Sequence, residues 1–464
     1  MPQRIRRRAH VTIIGFIIAA TIALASTTED THVLVISIDG LMASSYASTS
    51  SAHIPTLRRI AAEGAYAEGV VGVLPSVTYP SHTTLITGVT PSVHGIVDNH
   101  VFDPDGTLGG ASYWYARSIR VPTLLTAVHA AGGRTAAVSW PVTVGLDVDY
   151  HVPEFWHEGG NPSPGERTSL LHAVSTPRLI DTVERTNGRP IGWCQSDQDR
   201  LDIAAFVLRA YEPRLPLVHL TELDTAQHTF GPDSPEALDT LARIDGYVGQ
   251  LVDIVAKSRA ASRTDVALVS DHGFLAIERK LDPNTLLRRA GLLAVDDHGR
   301  ITTWRAAFHS SGGSVFVYLR DPLDRALYDR VATLLEQLRA DPANGVDTVW
   351  TAQDIARMGG PPDAAFGLNM RTGFYTGNDH TTLITSTLDD AEGAMRGGHG
   401  FAQTHRALQS ALIVMGPSVR SRGSLGTIRM TQIAPTLARW LGVRLSPLAD
   451  SPFDGLPAPL LAKR

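Results

Sequence analysis

Short apolar runs recur along this chain, each followed by enough sequence for a helix, and that alternation limits the fold more than any other feature. The clearest run, HVLVISI at 32–38, is dominated by β-branched residues and ends at Asp39-Gly40. Similar runs stand at 134–139, 216–220, 265–270 and 411–415. Helix-like segments lie between and around them at 55–64, 80–88, 121–132, 198–210, 235–257 and 431–441. Continuous apolar strands alternating with helices predict an α/β fold, a mostly parallel sheet covered on both faces. Such sheets bind ligands beyond the carboxyl ends of their strands. Asp39, Trp140, Asp224 and Asp271 all fall at or just after a strand end. The region 275–397 is less regular, with a strand-like 311–321, a helix at 322–340 and a Gly/Pro-rich 358–367. It reads as an inserted cap subdomain built on a small antiparallel sheet.

Composition excludes some classes and permits others. With 464 residues, 43% of them hydrophobic, the chain can bury a large core. A net charge of −5, with mixed signs, gives no reason to expect a nucleic-acid surface. Arg4, Arg6, Arg7 and Arg8 precede an apolar stretch from Val11 to Ala25 that ends in Ala23-Leu24-Ala25. That pattern predicts a signal peptide at 1–25, an exported chain (periplasmic or secreted) and a catalytic domain over 26–464. The stretch is shorter than the roughly 20 residues of a spanning helix, so no stable membrane span is expected after cleavage. Retention as an anchor is the alternative. Cys194 is the only cysteine, so no internal disulfide staples the fold.

Several residues have the chemistry of a two-metal site, which needs carboxylates and imidazoles around ions about 4 Å apart. Asp39 ends a buried strand, although a turn Asp before glycine looks the same. Thr78 precedes Pro80 at the start of a helix-like segment, where a hydroxyl is either a nucleophile beside a phosphate or an N-cap. Asp224 and His228 are four apart, enough to share one ion or to form an ordinary surface pair. Asp271-His272 can ligate together only if the chain leaves the sheet there, which Gly273 favours. His399 is flanked by glycines. Spacing alone leaves both readings open at each position.

Taken in order, these segments resemble the nucleotide pyrophosphatase/phosphodiesterase family of the alkaline phosphatase superfamily. The likeness runs over about 35–275 and again around 396–442. It comprises IDG, TYPSHTTLITGVTPSVHGIVDN (78–99), D-x-x-x-H, SDHG and GGHG. The resemblance implies an alkaline-phosphatase-like three-layer α/β/α sandwich and two zinc ions. It assigns Asp39, Asp271 and His272 to one zinc, with Thr78 as the nucleophile bound to it. Asp224, His228 and His399 would hold the second zinc, and Asn99 would donate to a phosphate oxygen. His82 and His94 read as structural. Tyr79 could stack on a leaving group or simply pack. A phospho-threonine intermediate on Thr78 is implied, with small phosphodiesters, pyrophosphates or nucleotides as substrates. The monoesterase branch uses a Lys-x-Arg pair to hold the extra anionic oxygen, and 139–156 contains neither residue. Trp140-Pro141 instead resembles the diesterase branch. The alternatives are a phosphomonoesterase on the same site, a transferase or mutase, and a non-catalytic exported binding protein. A sulfatase is excluded, because Cys194 lacks the flanking motif for formylglycine formation.

Overall fold

The computed structural model describes residues 31–453 apart from 48–49, 157–161, 387–394, 404 and 420–421. The expected signal peptide at 1–25 lies outside the described residues. Eight strands form the central sheet, in the order Gly423–Ser424, Ala65–Tyr66, Leu412–Met415, Thr264–Val269, His32–Ile38, Leu215–Leu220, Thr135–Val138 and Tyr150–Val152. The five strands from Thr264–Val269 to Tyr150–Val152 are mutually parallel, while Leu412–Met415 runs antiparallel to both neighbours.

Side-chain alternation explains why both faces are covered. Leu34, Ile36 and Ile38 point to one face, with Val218, Leu220, Val266 and Leu268, and pack under the helices Pro55–Glu63, Asp197–Tyr211 and Pro235–Ala256. Val33 and Val35 point to the other, with Leu217, Ala267 and Val269, against Leu124–Ala130 and Ile433–Leu441. The result is a three-layer α/β/α sandwich with a mostly parallel sheet, as the apolar runs predicted. Its five long-recognised strands fall within one or two residues of the expected ranges. Three short strands, Ala65–Tyr66, Tyr150–Val152 and Gly423–Ser424, carried no run long enough to read.

Between Leu275 and Ser386 the chain builds a second body with its own apolar cluster, including Leu287, Phe308, Val317, Leu335 and Leu368. One of its sheets is antiparallel throughout, in the order Ala306–Ser310, Ser314–Leu319, Phe366–Met370 and Val346–Thr351. The helix Arg325–Ala340, capped by the Asp324 carboxylate, packs on it. Among the described residues, no helix is long and apolar enough to cross a membrane.

Candidate active site

Asp39 follows directly on His32–Ile38, and its amide donates to the Leu220 carbonyl at 2.9 Å, so the chain leaves the sheet only after this residue. Gly40 then turns with φ of 71°. A Cβ there would lie 2.7 Å from both Gln227 and Phe274, so glycine is required twice over. The Gly40 amide donates to Asp271 Oδ1 at 3.1 Å, tying the first loop to the one after Thr264–Val269. That second loop does leave the sheet, and Asp271 and His272 converge. His272 Nε2 lies 3.2 Å from Asp271 Oδ2, 3.4 Å from Asp39 Oδ1 and 3.5 Å from Thr78 Oγ1.

Thr78 is the first residue of the helix Thr78–Thr87, and the N-cap is Val77, whose side chain makes no capping bond. The capping alternative for Thr78 therefore does not describe its position. Its hydroxyl is half-buried and faces His272. The Asn99 side-chain carbonyl accepts from the Tyr79 amide at 2.8 Å. With that oxygen occupied, the Asn99 NH2 group is the end left to donate. Tyr79 itself is 6% exposed. Its ring packs 5.8 Å from Trp114, and its hydroxyl donates to Glu154 at 2.8 Å.

Asp224 and His228 lie on one helix, Glu222–Phe230, with His228 Nε2 3.4 Å from Asp224 Oδ2. His399 closes the group from its glycine loop, its Nε2 3.7 Å from Asp224 Oδ1. Its ring stacks on His272 with centroids 3.7 Å apart. His228 Nδ1 donates to the Gly397 carbonyl at 2.9 Å and His399 Nδ1 to the Ser76 carbonyl at 3.3 Å. Carbonyls only accept, so both rings keep their proton on Nδ1 and present a bare Nε2. His82 and His94 stay in the interior. His82 bridges Ser37 Oγ and the Thr78 carbonyl, and His94 bridges Thr84 and the Ile96 amide. Burial pushes both rings down to about 3, so they remain neutral.

Two groups of donor atoms are close enough to surround an ion each: Asp39, Asp271 and His272, and Asp224, His272 and His399. His228 stands beside the second group through Asp224. The electrostatics fit dications. Asp39 Oδ1 and Asp271 Oδ2 are buried with no hydrogen-bond partner, a costly state for a carboxylate without a cation. Burial, then the charges of Asp271 and Asp224, push the Asp39 carboxyl well above its usual range. Burial likewise raises Asp224. Burial, reinforced by neighbouring imidazoles, drives His272 and His399 well below theirs, which keeps them neutral and able to ligate. Carboxylate and imidazole together suit zinc.

The second body reaches into this site. The hairpin joining Ala306–Ser310 to Ser314–Leu319 sends Ser311 Oγ to the Asp98 carboxylate, next to Asn99. His309 Nε2 lies 3.7 Å from the same carboxylate. The Gly313 amide donates to the His399 carbonyl at 2.7 Å.

The sequence model of the type I phosphodiesterase / nucleotide pyrophosphatase family matches residues 33–376. The chain belongs to that family. Type I phosphodiesterases and nucleotide pyrophosphatases are metal-dependent hydrolases acting on phosphodiester bonds, and this chain has two candidate metal-binding groups. Human ectonucleotide pyrophosphatase/phosphodiesterase family member 1 is 26% identical over 258 residues, which are 53% of this chain and 24% of that protein. A bis(5'-adenosyl)-triphosphatase of Xenopus laevis is 25% identical over 253 residues, 53% of this chain and 48% of that one. The chain thus spans about a quarter to a half of the length of these relatives. The solved structure of human ectonucleotide pyrophosphatase/phosphodiesterase 5 superposes with a TM-score of 0.63 at 20% identity, covering 91% of this chain and 97% of that one. An inactive, threonine-to-alanine form of the murine protein, in complex with AMP, gives a TM-score of 0.61 over the same shares. The phosphodiesterase fold is therefore alkaline-phosphatase-like, as the motif order implied.

Two polar residues of the site were not singled out from sequence: His219, on Leu215–Leu220, and Glu154, two residues after Tyr150–Val152. Both are buried, and His219 Nε2 donates to Asp39 Oδ2 at 3.1 Å. A polar residue inside the apolar run PLVHL was the available signal, but an isolated strand histidine usually satisfies itself in the core.

Proposed function

We propose that this chain hydrolyses phosphodiester or pyrophosphate bonds of small substrates, nucleotides foremost, with Thr78 as the nucleophile. The observation that carries the proposal is the meeting of the half-buried Thr78 hydroxyl with His272 and the unpartnered Asp39 and Asp271 oxygens. Asp39, Asp271 and His272 would hold one zinc and Asp224, His228 and His399 the other, with His272 close to both. Bound zinc supplies positive charge that acidifies the Thr78 hydroxyl and stabilises the leaving oxygen.

Thr78 Oγ1 attacks phosphorus in line with the leaving group. The P–O bond to that group breaks, and a phospho-threonine forms. The Asn99 NH2 group, pinned by the Tyr79 amide, donates to a non-bridging oxygen where charge accumulates. Water then attacks the phosphorus and releases Thr78.

Diesters are favoured over monoesters by the charge of the 139–156 stretch. It has no Lys or Arg and instead contributes the buried Glu154 carboxylate, which would oppose an additional anionic oxygen. The relatives' names, pyrophosphatase/phosphodiesterase and bis(5'-adenosyl)-triphosphatase, agree with a nucleotide substrate. So does the AMP held by the murine neighbour. The 275–397 segment acts as a cap over the leaving-group side, a role supported by its hairpin contacts with Asp98 and His399. Export completes the proposal, on the basic and apolar pattern of residues 4–25 and the ecto- names of the relatives.

The test is a side-by-side rate comparison of bis-p-nitrophenyl phosphate, p-nitrophenyl phosphate and a nucleoside triphosphate, in wild type and Thr78→Ala. The expected result is diester or triphosphate turnover that Thr78→Ala lowers by about a thousandfold or more. Full activity in Thr78→Ala overturns the nucleophile assignment. A monoester preference above roughly tenfold, about 1.4 kcal/mol of discrimination, overturns the substrate class.

A further inference from the structure

The two oxygens of Asp39 have different surroundings. Oδ1 has no hydrogen-bond partner and faces His272, whereas Oδ2 receives the proton of His219 Nε2 at 3.1 Å. His219 Nδ1 faces the Ser139 carbonyl at 3.2 Å and Glu154 Oε2 at 3.3 Å. Both ring nitrogens therefore point at acceptors, Nε2 at Asp39 and Nδ1 at the Ser139 carbonyl, while Glu154 Oε2 lies alongside without a hydrogen-bond partner of its own. Glu154 Oε1 in turn accepts the Tyr79 hydroxyl proton at 2.8 Å. The series Tyr79, Glu154, His219, Asp39 is buried throughout. It begins beside Thr78 and ends on a candidate metal ligand.

Sheet register builds this row. His219 pairs with Ser37, two residues before Asp39. Val218 pairs with Val138, and Val138 with Val152. Ser139 and His219 thus emerge side by side at the carboxyl ends of adjacent parallel strands, with Glu154 two residues past the end of the next strand. A buried carboxylate and imidazole at such a place are costly unless they satisfy each other. A carboxylate ligand whose second oxygen is fixed has one orientation for its first.

We propose that His219, braced by Glu154 and Tyr79, is a positioning residue that aims Asp39 Oδ1 at its metal ion and sets the affinity of that ion. The inference rests on the reading of Asp39 as a zinc ligand. His219 touches no substrate. Its effect is on metal retention, and it is confined to the ion held by Asp39, Asp271 and His272.

The experiment measures zinc alone, by chelator competition on the full chain, in wild type, His219→Leu, His219→Gln and Glu154→Gln. Unfolding of each metal-free chain in EDTA is recorded alongside. Wild type is expected to bind two zinc ions. His219→Leu weakens one of them by roughly 10–100-fold and leaves the other unchanged. His219→Gln keeps an N–H near the position of Nε2 and recovers most of the loss, which a purely structural role would not give. Glu154→Gln weakens the same ion by a smaller factor, and it stands as the deciding variant should His219→Leu fail to fold. If wild type binds two ions and the folded variants bind both equally well, the positioning role is wrong while the two-zinc reading survives. If wild type takes up no zinc, the metal reading itself fails.

Discussion

One strand carries a buried aspartate at each end, and the two have opposite meanings. Asp265, near the start of Thr264–Val269, is fully buried with Oδ2 unpartnered. Asp271, two residues past the other end, is also fully buried with Oδ2 unpartnered. Among the described residues, Asp265 belongs to no cluster of carboxylates and imidazoles. Oδ1 accepts the Ser418 amide at 2.8 Å, and burial pushes the carboxyl up to about 6. Around Asp271 stand Asp39, His272 and His82, delivered by separate loops and a helix. A buried orphan carboxylate is thus not a site in itself. Convergence of several at the carboxyl end of a parallel sheet is what distinguishes one.

Substitution breaks or sharpens this contrast, and the largest expected effect lies at the carboxyl end. Asp271→Asn should lower diester turnover by at least about a hundredfold, since even residues behind a metal ligand cost 10–100-fold. Steady-state kinetics at saturating zinc check this, and near-wild-type turnover would erase the contrast. Asp265→Asn should leave turnover within about twofold and change stability instead. Its folded carboxyl sits above the unfolded value, so its contribution is fully present at pH below about 4. That contribution is lost as pH rises through about 6, where the group becomes a buried charge. Asp265→Asn should therefore gain about 1–2 kcal/mol at pH 8 and nothing near pH 4. Denaturant unfolding at the two pH values measures it, and a gain at pH 4 alone would reverse the sign of the argument.

Sequence made the sheet legible because its strands are continuous apolar runs, and 32–38 and 265–270 were placed within a residue. Strands of two or three residues, such as Ala65–Tyr66 and Tyr150–Val152, have no such signature and depend on neighbours already in place. The helix at Thr78 was expected to begin at Pro80. Proline is tolerated anywhere in a first turn, where amides lack helical acceptors, and here it is the third residue. The Asp and His residues named from motif order come together in space as two groups. His219 and Glu154 stayed hidden because only strand register, which no local pattern encodes, sets them beside Asp39.

The central claim is that the strand-end carboxylates and imidazoles hold the ions on which Thr78 chemistry depends. Its most direct measurement is zinc titration of the metal-free chain, following turnover of bis-p-nitrophenyl phosphate against bound zinc. The account predicts negligible turnover without metal and a rise that saturates at two zinc ions per chain. Undiminished turnover by a chain verified to be metal-free would contradict it.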